Sequence, residues 1–114
     1  MQFLLLIYDQ EKRWTKLSEA EQGAETQEYV AFSNEFAHAI RGGNALQPTA
    51  TARTVRVRNG KAQITDGPFA ETKEQLGGYY LVEAKDADEA AAIAAKIPWS
   101  RFGSIEVRPI MVFS

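Results

Sequence analysis

Apolar and polar positions change rhythm along this chain, and each change marks an element. Residues 3–8 are an unbroken apolar run, which predicts a strand over residues 2–8 with both faces buried. Residues 9–16 are polar and predict a loop carrying Trp14. Ser18 followed by Glu21 is a capping box and predicts the start of a helix. Tyr29, Phe32, Phe36 and Ile40 then fall three or four apart, on one stripe, and Gly42 with Gly43 is expected to end that helix.

Strict alternation follows. Asn59-Gly60 is a two-residue turn signal between residues 54–58 and 61–65, and predicts a hairpin. Its register puts Arg53, Val55 and Val57 opposite Asp66, Ile64 and Ala62 on one face, with Arg56 and Gln63 on the other. A strand over 79–84, a helix over 86–97 capped by Asp86 and halted by Pro98, and a last strand over 105–113 complete the pattern, Pro109 indicating an edge position or a bulge. The order β-α-β-β-β-α-β predicts an α+β, ferredoxin-like antiparallel sheet, with two helices on one face and an inserted β-hairpin, in a single domain over 1–114. Two helices cover one face only. Leu4 and Leu6 alternate with Phe3, Leu5 and Ile7, and Tyr80 and Val82 with Tyr79 and Leu81, so a second apolar face needs a cover. A homodimer, sheet against sheet, is the simplest one.

Composition narrows the function. With 114 residues and ordinary apolar and charged fractions, the chain is one globular domain. No cysteine is present, which excludes disulfides, thiolate metal sites and a cysteine nucleophile, and the single histidine excludes a His-rich metal site within one chain. A formal charge of −2 argues against a nucleic-acid binder. The longest apolar run is too short to cross a bilayer and lacks the marks of a secretory signal, so a cytoplasmic, soluble protein is expected.

The stretch from Asp66 to Gly78 holds three glycines, a proline and four ionisable groups between two strands. Gly67 before Pro68 stiffens the turn and fixes the direction of the Asp66 carboxylate. Two readings stay open: a turn in which Asp66 accepts backbone hydrogen bonds, or a site held on a rigid scaffold. Arg53, opposite Asp66, either tunes its charge or forms an exposed ion pair worth under about 1 kcal/mol. Tyr8 and Tyr80 lie near strand ends, where a phenol can face a cleft or simply pack. Glu106 and Arg108 share a face of the last strand. Trp14 and Trp99 are expected to cover the core edge rather than line a pocket. His38 falls about 200° from the apolar stripe on a 3.6-residue helix and is expected in solvent.

Thr65-Asp-Gly-Pro-Phe-Ala-Glu-Thr-Lys-Glu-Gln-Leu-Gly-Gly-Tyr79 resembles the signature of the YCII-related family, in its DGPF-domain branch. The apolar opening at residues 3–8, the strand at 54–58 and Glu106-Val-Arg-Pro-Ile110 also match, so the likeness spans nearly the whole chain. The resemblance implies a dimeric α/β-barrel of ferredoxin-like subunits. In the related YCII branch a His–Asp pair is thought to lie in a dimer-interface cleft, and a relative outside the DGPF branch removes chloride from a chlorinated hydroxyhydroquinone. Genes of the DGPF branch often neighbour sigma factors of the extracytoplasmic-function class. Carried onto this sequence, Asp66 is the candidate catalytic acid or base, and Gly67, Pro68 and Phe69 the pocket wall. Glu71, Lys73 and Glu74 follow in the matching segment, Lys73 or Arg53 holding an anionic group; Tyr8, Tyr80 or Lys73 would assist proton transfer. The histidine of that pair has no convincing counterpart in His38. Two functions follow: a small-molecule enzyme with no metal and no cofactor, or a non-catalytic module binding a ligand or a protein in sigma-factor regulation.

Overall fold

A computed structural model describes residues 1–113. Strand β1 (Gln2–Asp9) leads into a short helix α1 (Glu11–Thr15), a long helix α2 (Glu19–Glu35) and strand β2 (Ile40–Ala45). A single 3₁₀ turn (Thr49–Thr51) precedes the hairpin β3 (Arg53–Arg58) and β4 (Lys61–Asp66). Strand β5 (Gln75–Glu83), helix α3 (Ala87–Ala94), a 3₁₀ turn (Pro98–Arg101) and strand β6 (Ser104–Pro109) finish the domain. The main sheet has the order β2-β5-β1-β6 with every neighbouring pair antiparallel, the ferredoxin-like arrangement.

Alternation along β1 decides which residues form the core. Phe3, Leu5 and Ile7 point to the helix-covered face and pack with Val82 of β5, Phe32 of α2, Ala90 and Ile93 of α3, and Ile97. Phe3, Leu5, Val82 and Ile97 are fully buried, each contributing about 1.5–3 kcal/mol by its removal from water. Leu4, Leu6 and Tyr8 occupy the opposite face of the strand.

The expected capping box is formed: Ser18 Oγ accepts from Glu21 N at 3.1 Å, and Glu21 Oε1 accepts from Ser18 N at 2.9 Å. Asp86 caps α3 by accepting from Glu89 N. The hairpin register matches the predicted pairs from Arg53–Asp66 to Arg58–Lys61. Asn59 and Gly60 both have positive φ, 52° and 74°, the conformation such a two-residue turn demands.

Several boundaries differ from the sequence reading. Residues 9–16 are not all loop, since Trp14 sits in α1. Helix α2 stops at Glu35 with Phe36 as its cap, so Gly42 and Gly43 are not helix-ending residues but lie inside β2. Ile40 still packs against the core, from a strand rather than a helical stripe. The physical reason is pairing: β2 lies along β5 with Ile40 opposite Val82 and Ala45 opposite Gly78, which satisfies the backbone of two glycines that read locally as a terminator. The hairpin is accordingly a separate two-stranded sheet. Strand β5 begins at Gln75, and β6 ends at Pro109 on the sheet edge, leaving residues 110–113 outside any strand. Helix α3 ends at Ala94, three residues before the expected stop at Ile97. His38 lies in the turn after α2, exposed as expected.

Candidate active site: an aromatic cleft at one end of the sheet

The C-terminal ends of β1 and β2 and the start of β5 meet under α1 and α2, and a cleft of about 620 Å³ opens there. Its floor is partly bare backbone, because Gly43 on β2, opposite Tyr80, and Gly77 and Gly78 on the adjacent β5, Gly78 opposite Ala45, all line it. A β-carbon on Gly43 would stand 2.8 Å from the Tyr80 ring, and one on Gly77 would stand 2.9 Å from the Trp99 indole. Gly77 is also the extra residue of a β-bulge, where the register jumps from Ile7–Gly78 to Tyr8–Leu76. The walls are Trp14, Tyr29, Tyr80 and Trp99, with Leu46 and Pro48 at the rim. The two indoles are 5.7 Å apart, and Tyr29 meets Trp99 edge-on at 6.0 Å. The shape is a slot with flat walls.

Polar groups in the slot are few. Ser33 Oγ and Tyr80 Oη are 3.4 Å apart on one wall. Burial pushes the Tyr29 phenol well above its ordinary range, so it remains a hydrogen-bond donor at neutral pH. Asp9 ends β1 on the same face as Phe3, Leu5 and Ile7; it lines the cleft and is 3% exposed.

A network behind the cleft compensates that carboxylate. Asp9 Oδ1 accepts from Gln10 N at 2.7 Å and Oδ2 from Arg13 Nε at 2.6 Å. The other two nitrogens of Arg13 form a fork on Glu25 at 2.9 Å each, and Trp99 Nε1 donates to the same carboxylate at 2.9 Å. Arg13 also stacks over Phe102, 4.1 Å from its centroid. Its hydrogen bonds with Glu25 hold the guanidinium firmly cationic against its partial burial, and the Glu25 carboxyl is pulled below its ordinary value, chiefly by the Arg13 hydrogen bonds. Trp99 is thereby fixed by its own nitrogen as a wall of the cleft. Each Asp9 oxygen keeps a lone pair beyond its one hydrogen bond, and the residue lines the cleft.

At the rim, Glu11 holds two segments. Its carboxylate accepts from Thr49 N at 2.7 Å and Thr49 Oγ1 at 3.1 Å, while its own N–H donates to Gln75 Oε1 at 3.0 Å.

Of the residues singled out from sequence, Tyr80 lies in the cleft. Tyr8 is on the opposite face of β1. Arg53 and Asp66 form the predicted pair at 3.7 Å, with side chains 75% and 91% exposed. Phe69 is exposed, and Gly67, Pro68, Lys73 and Glu74 lie on the connection from β4 to β5, outside the lining of the cleft. Glu74 Oε1 accepts from Ser104 Oγ. Trp99 packs against the core edge as expected and also forms a wall of the cleft, where Gly77 leaves room for its ring; Trp14 is a wall of the cleft as well. Glu106 and Arg108 pair at 3.5 Å on one face of β6. Sequence reasoning passed over Asp9, Arg13 and Glu25. The available signal was a carboxylate in core phase: Asp9 continues the buried parity of β1, and Glu25 stands four residues before Tyr29 on the apolar stripe of α2.

Among the described residues no group of His, Cys, Asp or Glu is placed to hold a metal ion, and no helix is long and apolar enough to cross a membrane.

The fold and the end-of-sheet cleft are those of a small α+β domain of the ferredoxin-like class. Its family model is the YCII-related domain, which matches residues 1–114, and the chain belongs to that family. An uncharacterised protein of Rhizobium meliloti (strain 1021) is 34% identical over 117 residues, covering 99% of this chain and 94% of that protein. Among solved structures, the 5-chloro-2-hydroxyhydroquinone dehydrochlorinase of Burkholderia phenoliruptrix AC1100, in complex with 2,5-dihydroxybenzoquinone, superimposes with a TM-score of 0.60. It shares 15% identity, over 97% of this chain and 94% of that one, and so establishes likeness of fold.

Proposed function

We propose that this protein is a cofactor-independent enzyme acting by acid–base chemistry on a small, planar, oxygenated ring compound, and that it works as a homodimer. The observation that carries the reading is the slot itself: a glycine floor, four aromatic walls and one buried carboxylate facing inward. A flat ring laid on the glycine floor has an aromatic wall to stack against, and stacking there contributes about 0.5–1.5 kcal/mol per aromatic pair. Ring hydroxyls or carbonyls would meet Tyr29, Tyr80 and Ser33 as donors, and Asp9 as the acceptor of a proton. The related fold whose ligand is a dihydroxybenzoquinone agrees in ligand shape.

The motif around Asp66 belongs, in this reading, to the DGPF branch of the family. Asp66 stands outside the cleft of its own chain, so it would serve as an acid or base only when a second copy brings it to a cleft. Leu4, Leu6, Tyr8, Tyr79 and Leu81, half-buried on the sheet face away from the helices, are the surface for that second copy.

Isothermal titration with 2,5-dihydroxybenzoquinone tests the site. The expected result is saturable binding that weakens at least about tenfold in Asp9→Asn and in Ser33→Ala/Tyr80→Phe. Asp66→Asn, measured beside them, reports whether a partner's aspartate takes part. No saturable heat with the parent protein, or equal affinity in all variants, overturns the cleft as the site.

A further inference from the structure

We propose that the β3–β4 hairpin is an arm that clasps a second copy of this chain. The inference rests on the homodimer reading above and adds to it a second contact, separate from the sheet face. On one face of the hairpin Val55, Val57 and Ile64 are 60%, 60% and 62% exposed, each larger than a surface strand needs. A two-stranded hairpin with such a face is at best marginally stable in water on its own, so the face calls for a cover. The arm also stands away from the body. The radius of gyration is 16.1 Å, against about 13 Å for a compact domain of this length.

Charge names the occupant. Residues 53–66 carry Arg53, Arg56, Arg58 and Lys61 against the single carboxylate of Asp66, whereas the whole chain has 13 basic and 15 acidic residues. The body without the arm is therefore net acidic. Arg53 shares the apolar face and Arg56, Arg58 and Lys61 stand on the other, so the arm offers the acidic body of another copy an apolar side and a basic side, and a two-fold axis lets each copy give and receive one arm. The arm is also well anchored where it leaves the body. Gly67 N donates to Ala52 O at 2.7 Å, Thr54 Oγ1 to Gly67 O at 2.9 Å, and just outside these Glu11 grips Thr49 and Gln75. Pro48 and Gln75, beside those anchors, line the cleft, so an arm held by a partner stands on the rim of the slot.

Sedimentation velocity on the full chain at about 50 mM and about 500 mM salt tests this, with folding of each variant checked by circular dichroism. Val55→Asp/Ile64→Asp and Arg56→Glu/Arg58→Glu alter the two qualities of the arm, and Leu6→Asp alters the sheet face. The expected result is a dimer whose dissociation constant rises at least about tenfold in both arm variants, with salt weakening the parent but not the charge-reversed protein. Arm variants that dimerise as the parent does overturn the proposal; if Leu6→Asp then dissociates, the sheet-face dimer survives alone. A dimer lost in the arm variants but intact in Leu6→Asp supports the arm and removes the sheet-face contact. A parent chain that is monomeric throughout overturns both.

Discussion

Arg13 is the residue on which most depends. It is the counter-charge for two buried carboxylates, and it holds the one that fixes Trp99. Replacing Arg13 by Met would strand both, and with the side chain 23% exposed the expected loss is about 2–3 kcal/mol, read from chemical denaturation. Glu25 gives the pH dependence its sign. Its carboxyl is depressed in the folded state, so its contribution is complete above its ordinary value of 4.5 and is lost as pH falls through the lower folded value. The thermal midpoint should therefore decline below about pH 4.5, and Glu25→Gln should begin lower and decline less steeply. Asp66 carries little stability. Its pair with Arg53 is exposed, so Asp66→Asn should move the midpoint by less than about 5 °C, the equivalent of about 1 kcal/mol. A larger drop would make it a structural clamp. The carboxylates of the network were legible only as exceptions to a pattern, since Asp9 looks like the first residue of a loop until the parity of β1 is counted through it.

Among the elements, the hairpin was readable pair by pair because everything that sets it is local: a two-residue turn and alternation on either side of it. Strand β2 was not readable. Arg41-Gly42-Gly43-Asn44 has neither alternation nor branched residues, and its conformation is set by β5, some forty residues away in sequence. The same distance explains why the cleft was missed while one of its residues, Tyr80, was found; the floor exists only when β2 and β5 are side by side. A methyl group on that floor tests the account. Gly77→Ala should push the Trp99 ring aside, costing about 1–3 kcal/mol and shifting the indole fluorescence, whereas Gly23→Ala, which meets nothing within 4 Å in α2, should be neutral or stabilising.

The whole molecule is a plate, 48 Å by 48 Å and 19 Å thick, with helices on one side of its main sheet. A plate of this kind leaves much of its apolar surface in water, including Met111, Val112 and Phe113 beyond the last strand. The sequence implied that imbalance through strands apolar on both faces, although it could not show that the hairpin would stand apart from the sheet. Small-angle scattering should accordingly return a particle twice the 12.7 kDa chain mass, less flattened than one copy.

Strand order also sets a timetable. Among the described residues strand β1 pairs with β5 and β6, and its nearest partner in sequence is Gln75 against Asp9, its farthest Pro109 against Phe3. At about 5–20 residues per second the ribosome makes those partners roughly 3–20 s after β1. Once it has left the tunnel, the most apolar strand of the protein waits with both edges open, and the long helix α2 that follows α1 offers its apolar stripe as the earliest shelter. Chains arrested near residue 70 should bind a holdase chaperone, and release it only once β5 has emerged to pair with β1.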